Sequence, residues 1–203
     1  MREHIRKDNT GITLVELMIV LVLSLLLMSA AYMAYQAQNV SGNVQHQIAT
    51  LQQDLRAVLD IMEKDIRNAG CDPRSANIAA VLADTSGLMR IAVTADLDGD
   101  GTTNGVNEHV IYELNGISLQ RNNQALAQNV TSFGVTYLDQ NDAQIIPAGA
   151  GNTLTTAQTG QVLAVQMNIW MRSNQRDPET GNFMSRNQQR RIALKNMAIR
   201  LFD

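Results

Sequence analysis

From Ile12 to Tyr35 the chain is almost wholly apolar, and Glu16 is the only charge in that run. Leu17 to Tyr35 carries no charge at all. As a helix rising ~1.5 Å per residue it spans roughly the ~30 Å hydrocarbon core of a bilayer. Before it stands MREHIRKDNTG, where Arg2, Arg6 and Lys7 outnumber Glu3 and Asp8. That balance predicts a cytoplasmic N-terminus by the positive-inside tendency.

Four readings compete for this segment. It can be a signal anchor that stays in the membrane. It can be a secretory signal peptide, with Ser29, Ala30 and Ala31 as a loose cleavage site, although the run is long for one. A buried core helix fits a charge-free stretch of this length poorly. The fourth reading starts from Glu16. A carboxylate in a membrane span costs roughly 2.5–3.5 kcal/mol on insertion scales and usually has a partner. The span holds no basic residue. A cut between Gly11 and Ile12 would create an α-amino group close by, in the same or a neighbouring subunit, to neutralise it.

Gly11-Ile12-Thr13-Leu14-Val15-Glu16-Leu17 resembles the type IV prepilin signature: a glycine, an apolar residue, then T-L-hydrophobic-E-L. The resemblance implies that prepilin peptidase cuts after Gly11 and that the new N-terminus at Ile12 is N-methylated. It also implies that Glu16 aids extraction from the membrane and docking into a filament. Family members usually have Phe where this chain has Ile12, a mild departure at a position that needs an apolar residue.

Helical patterning continues past Tyr35. Val44, Ile48, Leu51, Leu55, Val58, Leu59, Met62 and Ile66 recur three and four apart, one apolar stripe on an amphipathic helix. Asp60–Lys64 and Glu63–Arg67 are i,i+4 pairs with the acid first. Gly70 is the expected C-cap, with Pro73 beyond it. The organisation expected is a cleaved leader at 1–11, a helix at 12–70 (membrane-spanning at 12–35, amphipathic at 36–70) and a β-rich head at 71–203. Asp65-Ile66-Arg67-Asn68-Ala69-Gly70 resembles the DIR-x-AG helix end of the PilW group of minor pilins.

Beyond the helix the period changes to two. Met89, Ile91 and Val93 alternate with polar or small residues, and His109–Leu114 reads as a second strand. Asn115-Gly116 predicts a type I′ turn into Ile117–Gln120. Thr131–Leu138 and Gln161–Arg172 are further strands, and Arg191–Leu201 is expected to return as the last one. Gln140–Gly160 and Ser173–Asn187 read as loops. The fold class expected is α+β, the long N-terminal helix packed on an antiparallel β-sheet head.

Between the first two strands, Asp96-Leu97-Asp98-Gly99-Asp100-Gly101 matches the first half of a calcium loop. A hard cation wants six to eight oxygens, and short acidic side chains on a tight turn can converge on one. The second half departs from an EF-hand, because Asn107 stands at the twelfth position and Glu108 one later. Asp96, Asp98, Asp100 and Glu108 are the candidate ligands for Ca2+. The plainer reading is a solvated Asp/Gly turn. No other cofactor is expected.

Three isolated histidines (His4, His46 and His109) and the lack of a P-loop or dinucleotide glycine pattern point away from catalysis. One cysteine, Cys71, allows no disulfide within the chain. A net charge of −3 argues against a broad nucleic-acid surface, and Arg186, Arg190, Arg191, Lys195 and Arg200 read as the solvated face of the terminal strand. The resemblance implies a minor pilin that starts or caps a type IV pilus. Its partners would be prepilin peptidase, other major and minor pilins, the inner membrane and the assembly machinery, with the head in the periplasm before export. A J-like pseudopilin of type II secretion and a calcium-dependent adhesion head on a plain anchor are the alternatives.

Overall fold

The computed structural model describes residues 12–202. One helix, α1, runs Leu14–Asn68. Up to Gln45 the chain forms one compact unit and from His46 onward another. In the first unit the apolar side chains of α1 are exposed: Leu17, Val20, Leu23 and Leu27 are all more than half exposed. In the second unit Leu51, Leu55, Val58, Leu59, Met62 and Ile66 are buried. The stripe therefore becomes core from Leu51 onward, while Val44 and Ile48 are only partly covered.

The head holds two four-stranded antiparallel sheets. In the first, β1 (Arg90–Thr94), β2 (His109–Asn115), β3 (Ser118–Arg121) and β4 (Gln124–Ala127) pair in chain order. The second takes the order β6-β5-β7-β8, from β5 (Val130–Leu138), β6 (Gln144–Ile145), β7 (Ala164–Arg176) and β8 (Phe183–Ala193). A short helix α2 (Thr156–Thr159) sits before β7, held by a capping box between Thr155 and Gln158. The Tyr137 hydroxyl joins the sheets by donating to the Gly87 and Arg90 carbonyls at 2.9 and 3.1 Å. Tyr112, Phe133 and Tyr137 are fully buried beside the α1 stripe. Few aromatics are enough because these three stand at its centre.

Four expectations need correction. The single sheet is two. The terminal strand ends at Ala193, and Lys195–Phe202 is a helix, α3. Leu194 and Met197 are three apart, and the Met197 and Ala198 N–H groups both donate to the Leu194 carbonyl, so the period there is helical. The loop expected at Ser173–Asn187 shrinks to the hairpin around Asp177–Asn182, because β7 and the polar strand β8 extend into it. Finally, the first hairpin turn is centred on Gly116-Ile117. Asn115 pairs with Ser118, and of the two central residues only Gly116 has positive φ, the pattern of a type II′ turn. The type I′ pattern belongs to Asn122-Asn123, both at positive φ, joining β3 to β4.

Candidate functional site

Three places carry the features singled out in the sequence. The first is the start of α1. The Thr13 hydroxyl accepts the Glu16 N–H at 3.2 Å, and the Thr13 carbonyl takes the Leu17 N–H. Thr13-x-x-Glu16 is thus an N-cap with an acid at the third helical position, favoured by the helix dipole. Ile12 and Glu16 are both exposed in the single chain. The expected leader, with Gly11 as its expected cleavage residue, lies outside the described residues. The helix is long and apolar enough to cross a membrane.

The second place is the end of α1. The Asp65 carboxylate accepts the Tyr112 hydroxyl at 2.5 Å and the Arg121 Nε–H at 2.8 Å. Burial raises the Tyr112 phenol well above its ordinary pKa, and the hydrogen bond to Asp65 adds to this. Gly70 adopts φ +73°, and a Cβ there would stand 3.0 Å from the Ala80 Cβ. Carbonyls at and just beyond the helix end are met by α3: Asn196 Nδ2 donates to Asn68 and Ala69, and Arg200 to Gly70 and, further on, to Ile78. Glu63 pairs with Arg67, as the spacing predicts, and with Arg190; Asp60 takes Arg190 rather than Lys64. The basic cluster is therefore largely engaged, since Arg191 pairs with Asp142 and Arg200 with Asp72.

The third place is the aspartate loop between β1 and β2. Asp96, Asp98 and Glu108 each offer an oxygen, and these oxygens lie within 4.8 Å of one another. Asp96 and Glu108 are fully buried and Asp98 is exposed. Backbone N–H groups already serve the buried pair. Asp96 accepts from Gly99 and Gly101 at 2.6 and 2.9 Å, and Glu108 from Leu97, Asp98 and Gly105 at 2.8, 3.2 and 2.6 Å. Asp100 is not brought into the group. Its carboxylate turns to the Thr102 N–H at 2.7 Å, which lowers its pKa. Asn107 serves the fold instead, accepting from Arg121 at 2.9 Å. Among the described residues no cation pairs with Asp96 or Glu108.

A sequence reading misses the Asp65–Tyr112–Arg121 link, because its members lie 47 and 56 positions apart. The signal available is an acid one residue before Ile66, beside the apolar stripe, in the Asp65–Gly70 segment singled out above.

An apolar helix that opens on a capped glutamate and carries a two-sheet head on its later turns defines a type IV pilin-like protein. Residues 44–194 match the family model described as prepilin peptidase-dependent protein B, and residues 6–32 match the prokaryotic N-terminal methylation motif. The chain belongs to the prepilin peptidase-dependent protein B family. Among solved structures it is similar to the type IV-like pilin TTHA1219 from Thermus thermophilus. The two are 10% identical with a TM-score of 0.46, over 72% of this chain and 98% of that chain. No curated protein matches the chain.

Proposed function

We propose that this protein is a minor type IV pilin, a structural subunit that helps initiate or cap pilus assembly. The observation that carries the reading is the exposed apolar helix of the first unit, charge-free after Glu16 and opening within the methylation motif. Such a surface needs lipid before assembly and neighbouring apolar helices after it. Cleavage after Gly11 by prepilin peptidase would place an ammonium at Ile12, four residues from Glu16. N-methylation keeps that charge. The Glu16 carboxylate of one subunit then pairs with the terminal amine of another as the helices pack, which offsets the cost of holding either charge in an apolar setting. The head would face the periplasm while the helix is in the inner membrane. Glu16→Ala is expected to insert and be processed yet fail to enter filaments; normal incorporation of this variant would refute the pairing role. If loss of the chain blocks type II secretion and leaves piliation intact, it is a J-like pseudopilin instead.

A second reading concerns the aspartate loop. The convergence of Asp96, Asp98 and Glu108 within 4.8 Å, two of them buried without a cationic partner, favours a Ca2+ ligand there. Backbone carbonyls and water would complete the oxygen set. Adding millimolar Ca2+ is expected to raise the melting temperature of the full chain in detergent, with no shift in Asp98→Ala. An unchanged melting curve for the wild type would leave the loop as a turn held by backbone N–H groups.

A further inference from the structure

The outward face of the second sheet is partly exposed: Trp170 is exposed, and Gln166, Asn168 and Arg172 are half-buried. Val165, Met167, Ile169 and Met171 of β7 are buried, so Gln166, Asn168, Trp170 and Arg172 face away from the core. Trp170 is the only tryptophan of the chain, and it is 40% exposed in the middle of this face. An indole offers a large, rigid apolar face with a polar N–H at its edge, so a part-exposed one can stack on the ring of a ligand.

Its neighbours carry unmet hydrogen-bonding capacity. Asn168 and Arg172 flank it two residues to either side, about 7 Å along the strand. Asn168 Oδ1 and Arg172 Nε are both buried and without a hydrogen-bond partner among the described residues; a ligand reaches them only once the side chains around them shift. Asn187 of β8 lies directly opposite Trp170, and Gly134 of β5 lies opposite Asn168, where the lack of a side chain leaves a recess beside the amide. At the hairpin end, the Arg172 and Arg176 guanidinium groups stack over the Phe183 ring at 4.6 and 4.8 Å. Neither forms an ion pair among the described residues. The ladder positions beside Trp170 carry no carboxylate: Ser132 and Asn187 flank it, and Ser185 is opposite Arg172.

We propose that this face binds an acidic carbohydrate. A sugar ring presents an apolar C–H face that stacks on an indole, and its hydroxyls both donate to and accept from amides such as Asn168 and Asn187. A carboxylate on the same or the next sugar meets Arg172 and Arg176, which the ring of Phe183 holds in place. Charge complementarity decides for an acidic sugar over a neutral one. Single-stranded nucleic acid fits less well, because it asks for a cationic track along the backbone and successive stacking rings. Here Arg172 and Arg176 stand at one end of the face, and Arg191, opposite Gln166 towards the other end, is already paired with Asp142, so no continuous cationic track forms. This assignment does not depend on how the chain is assembled.

The single tryptophan makes the test direct. Full chain in detergent micelles is titrated with oligogalacturonate, with dextran oligosaccharides and oligodeoxythymidine as comparison probes, while Trp170 fluorescence is read. The proposal predicts a saturable change with oligogalacturonate and a dissociation constant about tenfold weaker in Arg172→Ala, the loss of one charge-assisted contact. Ligand-free emission and melting temperature should match the wild type in that variant, which excludes misfolding. No saturable change with oligogalacturonate overturns the proposal. An equal response to dextran overturns the acidic assignment, and a response to oligodeoxythymidine alone reassigns the face to nucleic acid.

Discussion

Two residues at the end of α1 do more than local propensity asks of them. Asp65 is the only described acceptor of the Tyr112 hydroxyl and holds the Arg121 guanidinium, whose side chain is 23% exposed. Asp65→Ala leaves a buried phenol unmet and removes the ion-pair partner of a half-buried guanidinium, and is expected to cost roughly 2–3 kcal/mol in thermal or urea denaturation. Gly70→Ala forces a left-handed conformation and a tight approach to Ala80, and should cost about 1–2 kcal/mol. Acid dependence follows from two other carboxyls. Hydrogen bonding to Arg67 holds Glu63 below its ordinary value. Burial pushes Asp72 up, but the N–H groups of Ala76 and Ile78, with Arg200 nearby, outweigh it and hold that group low as well. A carboxylate depressed in the folded state contributes its stability in full above the unfolded pKa and loses it as pH falls through the folded one. The melting temperature should therefore be flat above about pH 5 and fall below about pH 4. Glu63→Gln combined with Asp72→Asn should make that fall shallower; an unchanged acid limb would contradict the assignment.

At the scale of elements, the long helix and the earlier strands were readable because their periods are clean. Leu51, Leu55, Leu59, Met62 and Ile66 mark one face, and Ile91 and Val93 alternate as a half-buried strand should. Strand β8 was hidden because its inward side is polar: Arg190 faces α1 to meet Asp60 and Glu63, so no apolar alternation marks it. Helix α3 was hidden by Ile192 and Leu194, which alternate as a strand ends and then give way to helical spacing at Met197. Its task is long-range and left no local trace, since Asn196 and Arg200 cap carbonyls some 130 residues earlier. Arg200→Ala should cost about 1–2 kcal/mol, for the two carbonyl contacts and the Asp72 ion pair it gives up. In the aspartate loop the sequence identified the acids but not their directions. Asp96 and Glu108 turn inward to backbone N–H groups, and Asp100 turns away. Turn geometry decides this, and spacing alone does not encode it.

At the scale of the molecule, one helix performs two tasks in succession. Its later turns close a core built by two sheets, and its earlier turns carry apolar side chains that are exposed. The glutamate near its start, capped by Thr13, is the one charge on that surface. This division explains why composition alone misleads: an overall hydrophobic content of 45% conceals a span that is almost entirely apolar and a polar head. The methylation motif at residues 6–32 covers these few residues, and the prepilin peptidase-dependent protein B match at 44–194 covers the later helix and the head. The most direct test of the proposed processing and assembly is the mass and terminal sequence of the mature protein from cells that carry the peptidase. The account predicts a chain that begins at Ile12 with a methylated α-amino group; a chain that still begins at Met1 would contradict it.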